Sequence, residues 1–138
     1  MWKQNKFWQQ AGTWLGLLML LAAVTACNFT QSAFAQTANN AGSAFAAAET
    51  TLAYEHAGKI TPAYASSSFL SYQSELSGTD QSLISQATGD KRTLHRLLAL
   101  YMPAMQVVNA PCLSNSCNWQ KQLTQLKNAS AAFNEAGS

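Results

Sequence analysis

The apolar positions of this chain form one continuous block followed by a series of stripes at helical spacing. Leu15 to Ala26 (LGLLMLLAAVTA) is an unbroken apolar or small run. Beyond it, apolar residues recur three and four positions apart, the period of one face of an α-helix. Ala41, Phe45, Ala48, Leu52 and His56 make the first stripe and predict a helix from about Asn40 to Ala57, stopped by Gly58. Alanine dominates it, so this helix is expected to sit close to a neighbour rather than fill a large core. Thr61-Pro62 is a cap followed by a first-turn proline, and Ala65, Phe69, Tyr72 and Leu76 continue as the next stripe, ended by Gly78. Its serines (Ser66, Ser67, Ser68, Ser71 and Ser74) read as a solvated face, because serine competes for backbone hydrogen bonds inside a helix.

Asp80 to Thr88 predicts a short helix through Leu83, Ile84 and Ala87, with Gly89 as its stop. Asp90 then caps the strongest pattern in the chain, about Lys91 to Asn109. Leu94, Leu97, Leu98, Tyr101, Met105 and Val108 share one face there, Leu100 and Val107 widen it, and Pro103 falls on the polar side. This helix is the expected centre of the fold, with Leu98 on its core face and Leu100 towards the outside. Pro111 closes it. The last helix, about Asn118 to Ala136 with Gly137 as a stop, presents Trp119, Leu123, Leu126, Ala129 and Phe133. A tight corner should bring Trp119 near Met105 and Val108. Alternating patterns are absent, and no Asn-Gly or Asp-Gly turn separates β-branched runs. The expected fold is therefore all-α: a small up-down bundle of about four helices, the last two joined by a pinned corner.

The continuous block has a different meaning. Lys3 and Lys6 precede it with no acid among them, and a basic start before about 7–15 apolar residues is the pattern of a secretory signal. A membrane-spanning helix needs about 20 residues, more than Leu15 to Ala26 provides. Val24-Thr25-Ala26-Cys27 resembles the lipobox of bacterial lipoprotein precursors, an aliphatic residue and two small ones before a cysteine. The resemblance covers residues 1–27 only. It implies cleavage before Cys27, diacylation of that thiol, and a chain held on the extracytoplasmic side of a membrane, in either leaflet. Two acyl chains hold a domain stably at a bilayer where one does not. Ala33-Phe34-Ala35 before Gln36 offers a competing ordinary signal-peptidase site, and with it a secreted, soluble protein. The domain organisation that follows is an export signal at 1–26, a flexible tether at 27–40 and a helical domain at 41–137.

Charge adds an exclusion. The chain has 8 Lys plus Arg and 6 Asp plus Glu; without Lys3 and Lys6 the rest is six against six, formally neutral. The basic excess belongs to the leader, so no nucleic-acid partner is implied. The mature chain, about 112 residues, suits one domain. With Cys27 assigned to lipid, Cys112 and Cys117 remain as a C-x4-C pair, for which a disulfide is the default in an oxidising compartment. Redox sites favour C-x-x-C, and a zinc site would need two more ligands than His56 and His95 can place.

No catalytic constellation emerges. G-x-S-x-G, H-E-x-x-H and glycine-rich phosphate loops are all missing from the sequence. Glu49 and His56 share a stripe but stand about 10 Å apart along a helix axis. His56 reads as a satisfied, half-buried histidine and His95 as a surface residue. These observations predict no cofactor, no metal and no enzyme. They favour a lipid-anchored cell-envelope protein whose helical domain meets another protein in the envelope. The alternative is a small-ligand- or metal-binding lipoprotein, with a cavity lined by Phe45, Tyr72, Tyr101 and Met105 or a metal held with the help of His56.

Overall fold

Side-chain oxygens fix three of the helix starts. Thr61 Oγ1 accepts from the Tyr64 N–H at 3.2 Å, and Pro62 takes the first helical position, where its missing N–H costs nothing. Asp90 Oδ1 accepts from the N–H groups of Arg92 (3.0 Å) and Thr93 (3.3 Å), and the Thr93 hydroxyl donates to Oδ2. Those bonds, that of the Thr93 hydroxyl above all, hold the Asp90 carboxyl below its ordinary range. Asn118 Oδ1 accepts from the Lys121 N–H at 2.9 Å. The structure, a computed structural model, describes residues 31–138. Among them are five helices: α1 (Ala33–His56), α2 (Pro62–Leu76), α3 (Thr79–Gln86), α4 (Lys91–Asn109) and α5 (Trp119–Gly137). No strand occurs among the described residues, and none of their helices is long and apolar enough to cross a membrane. The all-α bundle is as expected, and α3 is the short helix read between Asp80 and Thr88.

The end of α1 shows why glycine was a reliable stop. Gly58 has φ 69°, its N–H donates to Glu55 O at 3.0 Å, and the Lys59 N–H donates to Tyr54 O at 2.9 Å. This is a Schellman closure, which needs a left-handed residue at that position. The beginning of α1 corrects the sequence reading. Residues 33–39, expected as tether, are the first turns of the helix, with Ala38 fully buried and Phe34 packed against the core. Uncharged Ala, Gln, Thr and Asn carry no strong helix signal alone; packing on a neighbour supplies the stability.

That neighbour is α5. Asn39 lies against Gly137, Gly42 against Asn134, Phe45 against Phe133 and His56 against Trp119, so the two helices run antiparallel along most of their length. Small residues permit the approach: Ala38, Ala41, Ala44 and Ala48 on α1, and Ala129, Ser130 and Ala132 on α5, are all buried. The alanine stripe behaves as expected, but the centre of the fold is α1 rather than α4. The larger core residues surround this seam. Phe45 meets Phe133 at 5.5 Å and Tyr101 at 6.1 Å, both edge to face. Leu52, Phe69, Leu76, Leu83, Leu97 and Leu126 complete it. Each such side chain contributes about 1.5–3 kcal/mol by leaving water.

On α4 the buried face is rotated from the expected one. Leu97, Tyr101, Ala104, Val107 and Val108 are buried, whereas Leu98 is half-buried and outside the core cluster formed by the described residues. At about 100° per residue, Leu98 stands about 100° from Leu97 and Leu100 about 60° to the other side. Leu100 packs on the core. The expected order of Leu98 and Leu100 is therefore reversed. Pro103 lies off this face, and α4 continues through it. Tyr101 ties α4 to the α2–α3 junction: its hydroxyl donates to Leu76 O at 2.8 Å. Burial, reinforced by the Asp80 carboxylate, raises the Tyr101 phenol above its ordinary range.

Candidate functional site: the disulfide corner

The chain leaves α4 at Ala110 and Pro111, and side chains from both α1 and α5 reach the backbone of Cys112. Its N–H donates to Gln122 Oε1 at 2.7 Å, while Gln122 Nε2 donates to Ala110 O at 3.1 Å. One α5 side chain thus satisfies two backbone groups that the end of α4 leaves open. The Cys112 carbonyl accepts from His56 Nε2 at 2.6 Å. A carbonyl cannot donate, so this nitrogen carries the proton. The disulfide between Cys112 and Cys117 closes the turn, with Cα atoms 5.9 Å apart. The sequence-predicted bond is present.

His56 is the joint between the end of α1 and this corner. Its ring stacks on Trp119 at 4.3 Å with 9° between planes. Trp119 thus packs on α1, a contact the sequence reading did not place. The missed signal was the position of His56 at the end of the alanine stripe, opposite the start of an antiparallel α5. Beside His56 lies Glu55, not Glu49: Glu55 Oε2 is 3.4 Å from Nε2, and both side chains are more than nine-tenths buried. That oxygen has no hydrogen-bond partner among the described residues. His56 is a satisfied histidine, as read from the sequence, though its side chain is more deeply buried than expected, and His95 is exposed on α4.

Two shallow clefts lie elsewhere. One, about 190 Å³, is lined by Thr37, Asn40, Glu75, Ser77, Thr79 and Ser82. The other, about 160 Å³, lies between α4 and α5, beside the exposed Arg96–Glu135 ion pair at 3.3 Å. Of the residues expected to line a cavity, Phe45 and Tyr101 are in ring contact, the Tyr72 hydroxyl is bonded to Thr51 at 2.9 Å, and Met105 packs against the core. Among the described residues no group of three or more His, Cys, Asp or Glu side chains could hold a metal ion. Cys27, the expected lipidation site, lies outside the described residues, as does the lipobox-like stretch before it.

Comparison with protein-family models, curated proteins and solved structures finds no match to this chain.

Proposed function

We propose that the protein is a lipid-anchored component of the cell envelope, held through Cys27, whose helical bundle binds another envelope protein and is not an enzyme. One observation carries the interaction reading. Large apolar residues remain outside the core: Tyr64, Leu70 and Met102 are 63%, 65% and 59% exposed. Exposed apolar side chains of this size favour contact with a partner through the surface. The disulfide accords with an oxidising compartment. The anchor rests on the basic, apolar and lipobox-like order of residues 1–27.

Intact-mass analysis of natively produced protein tests the anchor. A chain beginning at Cys27 with acyl adducts, found in the membrane fraction and lost from it in Cys27→Ser, is the expected result. A chain beginning at Gln36 without acyl mass would replace this reading with secretion. Leu70→Ser and Met102→Ser, checked for retained helicity, should remove specific in-cell crosslinks. Unchanged crosslinks would reject this surface as the contact.

A further inference from the structure

The two sulfurs of the corner differ in access. Cys112 is 4% exposed and fixed through its N–H, its carbonyl and its side chain, whereas Cys117 is exposed. Thiol–disulfide exchange requires a thiolate to reach one sulfur along the S–S axis from the side opposite the other, so access decides which sulfur is attacked. Of the two cysteines, Cys117 is the one at the surface, and its exposure favours attack there.

A second observation concerns the state that exchange would produce. The carbonyl of Ser114 lies 3.3 Å from Cys112 Sγ and 3.6 Å from Cys117 Sγ, and Ser114 Oγ is 3.6 Å from Cys117 Sγ. In the oxidised chain neither sulfur carries a hydrogen. Once reduced, both become weak S–H donors with an acceptor already within reach. The anchors of Cys112 involve no sulfur: Gln122 holds its N–H and His56 its carbonyl. The corner therefore has a place for the dithiol without disturbing α1, α4 or α5.

We propose that the Cys112–Cys117 disulfide is a directional thiol-exchange site, attacked at Cys117 by an external thiol, with Cys112 as the seated leaving group. In the first step an external thiolate bonds to Cys117 Sγ and the S–S bond breaks. Its electron pair leaves on Cys112 Sγ, which takes a proton from water and turns to Ser114 O. A second external thiolate then attacks the mixed disulfide at the external sulfur and releases Cys117. Two external thiols are oxidised to their disulfide and the protein disulfide is reduced to two thiols. The turn 113–117 opens while the bundle persists. In the reverse direction, Cys112 resolves a mixed disulfide formed on Cys117.

The test uses full-length protein with glutathione, and peptide mapping keeps Cys27 separate. Cys112→Ser and Cys117→Ser are each treated with oxidised glutathione under native conditions. Cys117 in the first variant should be glutathionylated at least about tenfold faster than Cys112 in the second, with the rates converging in denaturant. In the wild-type chain, acid-quenched reaction with reduced glutathione should place the mixed disulfide on Cys117, and helical circular dichroism should survive full reduction. Equal or reversed rates, an adduct on Cys112, no native-state reaction, or loss of helicity on reduction would each overturn the proposal.

Discussion

Gly42→Ala separates two effects of opposite sign. An alanine inside a helix is favoured over glycine by about 0.8–1.0 kcal/mol, so propensity alone predicts a stabilised α1. The seam predicts the reverse. A Cβ on Gly42 would stand 2.3 Å from Asn134 Oδ1, 2.7 Å from its Cγ and 2.8 Å from its backbone nitrogen. The side chain of Asn134 can swing away, at the expense of its bond to Ser130 Oγ at 3.4 Å. The backbone nitrogen belongs to α5 and moves only if the helices separate. Overpacking of this kind costs about 1–3 kcal/mol, which exceeds the propensity gain through most of its range. At the middle of these ranges a net loss of about 1 kcal/mol is expected, or roughly 4–8 °C in Tm. Thermal and urea melts of the mature chain followed by far-ultraviolet circular dichroism measure it. Gly89→Ala is the control: a Cβ there meets nothing within 4 Å, so the change should be neutral or stabilising by up to about 1 kcal/mol. A Gly42→Ala protein as stable as wild type, or more so, would refute the close seam.

On α4, Leu97→Ala should cost about 2–5 kcal/mol and Leu98→Ala distinctly less, since only the first side chain is fully buried; denaturant melts giving equal losses would reject the rotated face. Tyr101→Phe removes the partner of Leu76 O and should cost about 1–3 kcal/mol. The folded phenol's raised pKa means that its contribution is complete below about pH 10 and declines at higher pH. The alkaline loss seen in wild-type melts should shrink in the variant. Glu55→Gln removes a buried carboxylate whose Oε2 has no hydrogen bond. It should stabilise the fold in denaturant melts, because a buried charge without a hydrogen bond is costly; a clear loss of stability would show that the contact with His56 at 3.4 Å holds the carboxylate.

Helix boundaries were legible where a single residue makes the decision. Thr61-Pro62, Asp90, Asn118 and Gly58 each satisfy or terminate the backbone locally, and local chemistry is what a sequence displays. The start of α1 was hidden because residues 33–39 are stabilised by a helix almost a hundred positions away, with Asn39 seated on Gly137. The face of α4 was legible only as a broad arc. Its leucines cover nearly half the circumference, and small Ala104 near the centre is outweighed in any stripe of large residues. The disulfide followed from cysteine arithmetic, but the joint beside it did not. His56 and Trp119 are each ordinary in their own stripes, and their stacking depends on the register of α1 against α5.

That register explains how the seam and the corner divide the work of holding the fold. At one end the α1–α5 pair is closed by backbone proximity, Gly137 against Asn39, and at the other by the His56–Trp119 stack. Between them the contact is made by alanines, serine and glycine, whose individual burial is small. Its strength lies in the number of close contacts and in the aromatic cluster of Phe45, Phe133 and Tyr101 that flanks it. Neither component depends on the disulfide. The cross-link spans a sequence separation of only 5 residues, and closing so short a loop is worth on the order of 2 kcal/mol in the chain-entropy model. That is smaller than the loss from truncating one buried leucine. The bond therefore shapes the turn between α4 and α5, while the small-residue seam holds the bundle. This division allows the exposed sulfur of Cys117 to exchange without the helices coming apart.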